Sequence, residues 1–394
     1  MKLAIDGGTP VRTSKLNYGR QWIDEADIQA VEAVLRSDFL TMGPNIEAFE
    51  KSVAEFAGAK YGVAVNSGTA ALHVAAFGAG IKPGDEVITT PMTFAASSNC
   101  VLYLGGIPVF ADILPGTMNL DPEDVERKIT PSTKAIVAVD YTGQPCDYDA
   151  LRLIADKHNL IIIEDAAHSL GATYHGRKVG SLNELTTFSF HPVKHITTGE
   201  GGMVVTDDQD MAIRMRNFRS HGIDLDFNHR TKEQPWFYRM LYLGFNYRLT
   251  DIGCALGLSQ LKKLDSYLAR RREISAAYNE EFSQIPELIL PDVIPNCEPA
   301  WHLYVIRFNL AMLKANRAEL FRALTAEGFG INIHYIPVPW HPHYQDLGYK
   351  KGQWPVAEGE YEKIISLPIY PKMTDEDAKD VVNAVKKVIA NYRK

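Results

Sequence analysis

The sequence predicts an α/β protein. A large domain with a mostly parallel central sheet, covered by helices, is followed by a smaller C-terminal α+β domain. Three observations carry this. Val- and Ile-rich segments of strand length alternate with helical segments through the first half of the chain. The pattern changes after a long helical segment that begins near residue 258. A chain of 394 residues also exceeds what one compact core usually organises.

Taken in order, "IDEADIQAVEAVLRS" places Ile28, Val31, Val34 and Leu35 at helical spacing behind acidic first-turn residues. "YGVAVNSG" then reads as a strand and "TAALHVAAFGAG" as a helix ended by glycine. "DEVITT" is a strand, "FAASSNCVLYLGG" a helix and "IPVFADI" a strand. "KAIVAVD", "DYDALRLIADKHN" and "LIIIED" repeat the strand, helix, strand order. Ligands of such sheets gather beyond the carboxyl ends of the strands. "LSQLKKLDSYLARRREISAAYNEEF" is one long helical segment leading out of the large domain. The remainder holds a strand in "HLYVIRFNL", a helix near "NRAELFRALTAEG", the segment "INIHYIPV" and a closing helix from about Asp375. The expected domains are residues 1–262 and 263–394.

Composition narrows the function. A formal net charge of −7, with 46% hydrophobic and 23% charged residues, disfavours nucleic acid or an anionic membrane as partner. Cys100, Cys146, Cys254 and Cys297 are far apart, with no C-x-x-C spacing, so reduced thiols in the cytoplasm are expected, not a disulfide framework or a zinc site. The start lacks a signal-peptide apolar core, and no apolar run reaches spanning length. His341 and His343 in "WHPHY" lack a third ligand at useful spacing, so no metal site is expected.

Three segments point to chemistry when taken together. In "VNSGTAALH" a strand runs into Ser67, Gly68 and Thr69 and then a helix, which offers free amides and hydroxyls to a phosphate. Neither the dinucleotide nor the Walker fingerprint is present. Asp165 ends the apolar strand of "LIIIEDAAHSLGA". Alone it suits a helix cap as well as a site. Lys194 sits in "SFHPVKHITTGEGG", five residues after Ser189 and ahead of Gly199, Gly201 and Gly202. A phosphate turn, a strand-end Asp and a lysine in a glycine-rich loop match the needs of pyridoxal 5′-phosphate (PLP). It requires an anchored phosphate, a carboxylate to keep its pyridine nitrogen protonated, and a lysine to hold its aldehyde and shuttle a proton.

The chain resembles the nucleotide-sugar aminotransferases of the DegT/StrS type. The resemblance is carried by "LTMGPNIEAFE", "VNSGTAALH", "DEVITTPMTFAASSN", "EDAAHSLGA", "FSFHPVKHITTGEGG", "FRSHG", "GFNYRLTDIGCALGLSQLKKL" and "HYIPV", nearly end to end. It implies the fold-type I PLP architecture, with Lys194 as the cofactor lysine and Asp165 as partner of the pyridine nitrogen. It further implies Phe94 stacked on the cofactor ring, Gly68, Thr69 and Ser189 as the phosphate cradle, and His168 beside the ring hydroxyl. Asn246 is implied to reach the cofactor phosphate of a partner subunit, in a homodimer with shared active sites.

The substrates implied are an L-glutamate donor and a nucleotide-linked keto sugar. Thr41, Gly43, His334 and Tyr335 are candidate sugar-nucleotide contacts. Arg230, Lys232 and Arg248 are candidate phosphate contacts, with a solvated loop as the equal alternative. "AVDYTGQPCD", "FRSHGI" and "ALGLSQLKKL" are most similar to the members that aminate C4 of a UDP-linked 4-keto-6-deoxy-HexNAc sugar in pseudaminic acid synthesis. C3 amination and dTDP-linked sugars stay open. Sugar 3-dehydrases of the same family carry His at the lysine position. Here position 194 is Lys and His195 is its neighbour, which favours transamination. A non-catalytic cofactor-binding regulator is a third possibility, without any appended DNA-binding module to support it.

Overall fold

The computed structural model describes residues 2–224 and 236–394. Its centre is a seven-stranded sheet: β1 (Tyr61–Val65), β2 (Glu86–Thr89), β3 (Ile107–Phe110), β4 (Thr133–Val139), β5 (Ile161–Asp165), β6 (Leu185–Ser189) and β7 (Gly202–Thr206). Across the sheet they run β1-β7-β6-β5-β4-β2-β3. All neighbours pair in parallel except β7, which is antiparallel to both β1 and β6. The two strands not expected from the sequence, β6 and β7, bracket the lysine segment. β6 (Leu-Thr-Thr-Phe-Ser) lacks the Val/Ile signature of the others, and β7 (Gly-Met-Val-Val-Thr) carries it only at Val204 and Val205, behind the glycine run.

Side-chain alternation explains why the sheet is covered on both sides. Val63, Val65, Val87, Val137 and Ile163 enter one core, with the helix Gly68–Gly78. Ala64, Phe188, Met203 and Val205 enter another, with helix Pro44–Ala57. Ile88, Ile136 and Ile162 enter a third, with helix Tyr148–His158.

Two helical expectations need correction. The helix Glu25–Leu35 forms behind a capping box between Asp24 and Asp27. Its apolar stripe is only partly turned inward: Val34 is buried, whereas Ile28 and Leu35 are exposed. The inward position belongs to Asp27, whose carboxylate accepts from Ser259 (2.7 Å), Gln260 (2.6 Å) and Lys263 (2.6 Å) and so fixes the helix rotation. The long segment from Leu258 to Phe282 is two helices, Asp251–Leu261 and Leu264–Phe282. The break falls at Lys263, whose amide bonds to Gln260 and whose ammonium reaches both Asp24 and Asp27.

We propose that the large domain ends at this turn. Beyond it lie an antiparallel three-stranded sheet (Leu288–Ile289, Tyr304–Phe308, Ile364–Leu367) and helices Arg317–Ala326 and Asp375–Tyr392. Leu3 and Leu16 also pack into this C-terminal core. Glu327 holds the N-terminal segment there, accepting from the amides of Ala4 (2.9 Å) and Val11 (3.0 Å) and from Lys387 (2.8 Å).

Candidate active site

A cavity of about 580 Å³ opens at the carboxyl ends of the parallel strands. Ten of the residues singled out in the sequence line it: Ser67, Gly68, Thr69, Phe94, Asp165, His168, Ser189, Lys194, His334 and Tyr335.

Each arrives by a simple local device. Ser67 caps the helix that follows β1, accepting from the amide of Ala70 (3.0 Å). The amides just inside that cap have no intrahelical partner, and those are the amides of Gly68 and Thr69. A Cβ on Gly68 would stand 2.8 Å from the Cβ of Ser189 and 2.9 Å from its Oγ. Only glycine leaves that gap open, and the gap is lined by a hydroxyl and helix-terminal N–H groups.

Asp165 is the last residue of β5 and is 5% exposed. Ser97 Oγ donates to its Oδ2 (2.6 Å) and the Ala167 amide to its Oδ1 (3.2 Å). Burial nonetheless raises its carboxyl above the usual range, against the pull of those two bonds and of the Lys194 charge. A cationic group beside it would supply what burial takes away. Lys194 lies in the segment between β6 and β7. Burial lowers its amine to about 8, Asp165 opposes the shift and Arg271 adds to it. About a tenth of such an amine is neutral at pH 7, far more than for an ordinary lysine.

His168 follows β5 on the same loop. Its Nε2 lies 3.0 Å from the Tyr335 hydroxyl, and its buried Nδ1 has no hydrogen-bond partner among the described residues. Burial first, then the Lys194 charge, holds this imidazole well below its usual range, so it is neutral. His334 Nδ1 bonds to Ser366 Oγ (2.7 Å), and its carbonyl accepts from Tyr141. Burial lowers its imidazole to about 3. Phe94 stands 62% exposed over the cavity, its ring 6.2 Å from that of Tyr335.

The other predicted residues lie elsewhere. Thr41 is exposed and outside the cavity lining. Gly43 caps helix Pro44–Ala57, and its amide donates to Asp251 (2.5 Å). A Cβ there would meet Phe39 at 2.6 Å, so packing already requires the glycine. Asn246 is exposed, pairs by its backbone with Ser220, and does not line this chain's cavity. Arg248 is half-buried and also outside the lining. Arg230 and Lys232 lie outside the described residues.

Sequence reasoning missed Ser97 and His302. Ser97 sits one helical turn after Phe94, yet nothing in "AASSN" separates it from Ser98, whose hydroxyl instead meets Tyr344 (2.6 Å). His302 comes from the C-terminal region and lines the cavity, its ring 4.5 Å from that of His168.

The residues fit PLP on three counts. They form an anion cradle that a single Cβ would fill, a buried carboxylate short of a counter-charge, and an amine lowered toward neutrality. The chain belongs to the DegT/DnrJ/EryC1/StrS aminotransferase family, whose sequence profile matches residues 21–386. It is 43% identical over 381 residues to the spore coat polysaccharide biosynthesis protein SpsC of Bacillus subtilis, covering 96% of this chain and 98% of that one. Among solved structures it matches PseC of Helicobacter pylori, an aminotransferase involved in the biosynthesis of pseudoaminic acid. That match has a TM-score of 0.90 and 32% identity over 96% of this chain and 100% of the other. It also matches Spr1654 of Streptococcus pneumoniae, solved in PLP and pyridoxamine phosphate forms. The pyridoxamine form gives a TM-score of 0.91 and 31% identity, covering 95% of this chain and 99% of that one.

Proposed function

We propose that this protein is a PLP-dependent sugar aminotransferase that moves an amino group from L-glutamate to the keto carbon of a nucleotide-linked sugar. The observation that carries the reading is the meeting of Lys194, Asp165 and the Gly68–Ser189 gap in one cavity. When bound, PLP supplies an electrophilic aldehyde and a ring that accepts an electron pair.

The chain's own residues do the rest. The amides of Gly68 and Thr69 and the hydroxyl of Ser189 hold the phosphate. Asp165, oriented by Ser97 and Ala167, keeps the pyridine nitrogen protonated. Lys194 Nζ takes the proton from Cα of the amino donor and delivers one to the sugar carbon in the second half of the cycle. Phe94 covers the ring, and His168 with Tyr335 faces its hydroxyl side.

The acceptor we favour is a UDP-linked 4-keto-6-deoxy-HexNAc, aminated at C4. Its support is the similarity to PseC and the sequence stretches cited above. Amination at C3, or of a dTDP-linked sugar, is the alternative. His334 and Tyr335, which line the cavity, would meet the sugar. Thr41, Gly43, Asn246 and Arg248, outside this chain's cavity, would then serve the cavity of a second copy in a homodimer. Large apolar side chains left exposed outside the cavity, among them Trp22, Phe39, Leu40 and Met42, support such a partner.

No helix among the described residues is long and apolar enough to cross a membrane. The four cysteines are free thiols, which suits a reducing compartment, so we place the enzyme in the cytoplasm. The test is to supply PLP, L-glutamate and each candidate keto sugar and to read the product by mass. An amino sugar from the UDP-linked substrate supports the reading. A product that loses a hydroxyl without gaining nitrogen points to a dehydrase, and no conversion of any keto sugar overturns it.

A further inference from the structure

One wall of the cavity holds a hydrogen-bond chain whose donors and acceptors can be assigned atom by atom. Asn332 and His334 both line the cavity. The amide N–H of Ile333 donates to Asn332 Oδ1 (2.8 Å). A backbone N–H can only donate, so the oxygen end of the Asn332 side chain is fixed there and its NH2 end faces the other way. That NH2 lies 3.3 Å from His334 Nε2. A side-chain amide nitrogen only donates, so His334 Nε2 accepts. The imidazole, which burial keeps neutral, therefore carries its proton on Nδ1 and donates it to Ser366 Oγ (2.7 Å). Ser366 is fully buried on strand Ile364–Leu367, and its backbone amide donates to the Asn332 carbonyl (2.8 Å). The whole chain is thus anchored to the C-terminal sheet.

The direction of the chain decides what each side chain can give a ligand. His334 has no N–H to spare: its proton faces Ser366 and its lone pair is taken, so it can touch a sugar by its ring alone. Asn332 is only half-buried, and the second N–H of its side chain is accepted by none of the described residues. The acceptor that suits this N–H is an uncharged oxygen. Lys194 is the only Lys or Arg among the described residues that line the cavity, and neither Asn332 nor His334 is charged. Carboxylates and phosphates are held better where cations or several N–H groups converge. A hydroxyl or an amide carbonyl is satisfied by one neutral donor.

We propose that Asn332 is a specificity-determining residue: its second side-chain N–H donates to an uncharged oxygen of the keto sugar. This rests on the nucleotide-sugar reading above. A site built to hydrogen-bond one substrate oxygen rejects analogues that lack it.

Without an amino donor the PLP-loaded enzyme binds a keto sugar without turnover, so calorimetry reads affinity alone. The probes are the UDP-linked 4-keto-6-deoxy-HexNAc, its dTDP-linked counterpart, and analogues that each lack one hydroxyl or the acetamido group. Asn332→Ala and Asn332→Leu both remove the donor without adding charge. They should bind the parent sugar roughly fivefold or more weakly, while the rate at which L-glutamate discharges the visible band stays within about twofold of wild type. For one analogue the wild type should show the same loss, and the variants no further loss. Equal losses for the sugar and for glutamate overturn the proposal in favour of a structural role, as does an unchanged affinity for the parent sugar in either variant. A wild type that binds every analogue as tightly as the parent overturns it even if neither variant folds. A wild type that responds to glutamate yet binds none of the keto sugars sinks the nucleotide-sugar reading instead, and so separates the two failures.

Discussion

Gly68→Ala sets two effects of opposite sign against each other. The residue opens helix Gly68–Gly78, and alanine is the better helix former by up to about 1 kcal/mol. The new methyl, however, would stand 2.8 Å from Ser189 Cβ and 2.9 Å from its Oγ, well inside contact distance. Overpacking of this kind costs about 1–3 kcal/mol. If that strain is relieved by closing the gap that must hold the phosphate, PLP affinity drops by about 5- to about 150-fold, and the strain left over, less the helix gain, lowers the melting temperature of the cofactor-free protein. Titration of apoenzyme with PLP, followed by visible absorbance, measures the first quantity, and a melting curve the second. Ser189→Gly removes both the Cβ and the hydroxyl. Alone it should weaken binding, but combined with Gly68→Ala it should relieve the clash, so the two changes should be less than additive. A Gly68→Ala protein that binds PLP within twofold of wild type would refute the cradle, as would strict additivity of the pair.

Three further outcomes follow from the same geometry. Ser97→Ala removes a 2.6 Å bond to the Asp165 carboxylate, worth about 1.5–3 kcal/mol for a charged acceptor, and should weaken PLP binding by roughly tenfold or more. Ser98→Ala, whose hydroxyl faces Tyr344 instead, is the control and should leave PLP affinity nearly unchanged. With a Lys194 amine near 8, capture of PLP by apoenzyme should slow by about tenfold per unit as the pH falls below that value and level off above it, because only the neutral amine is nucleophilic. Glu327→Ala strands the buried ammonium of Lys387 and frees the amides of Ala4 and Val11. It should cost about 3–5 kcal/mol and lower the denaturation midpoint of the C-terminal core, with little change in PLP affinity.

The sheet was legible where its strands are runs of Val and Ile, because burial on both faces demands them. β6 was not, because its Thr and Ser residues make polar contacts, Thr187 Oγ1 donating to the Glu164 carbonyl; β7 offers only Val204 and Val205 between the glycine run and Thr206, whose Oγ1 donates to the Glu184 carbonyl. Lys194 and Asp165 could be singled out because each stands beside an unusual neighbour, a glycine cluster and a strand end. Ser97 and His302 could not. Their roles depend on contacts between segments far apart in the chain, such as the one between Ser97 and Asp165, and periodicity carries no trace of them. Asp27 escaped notice for a related reason. Nothing marks it as the inward one of the acidic first-turn residues, whereas its contacts with Ser259, Gln260 and Lys263 make it the pivot of that helix.

The most direct test of the central claim is the absorption spectrum of the purified protein with PLP, before and after L-glutamate. The account predicts a visible band that glutamate converts to a near-ultraviolet one, and that returns when an acceptor keto sugar is added. Lys194→Ala should lack the lysine-dependent band. No visible band after PLP is added, or an identical band and full turnover in Lys194→Ala, would contradict it.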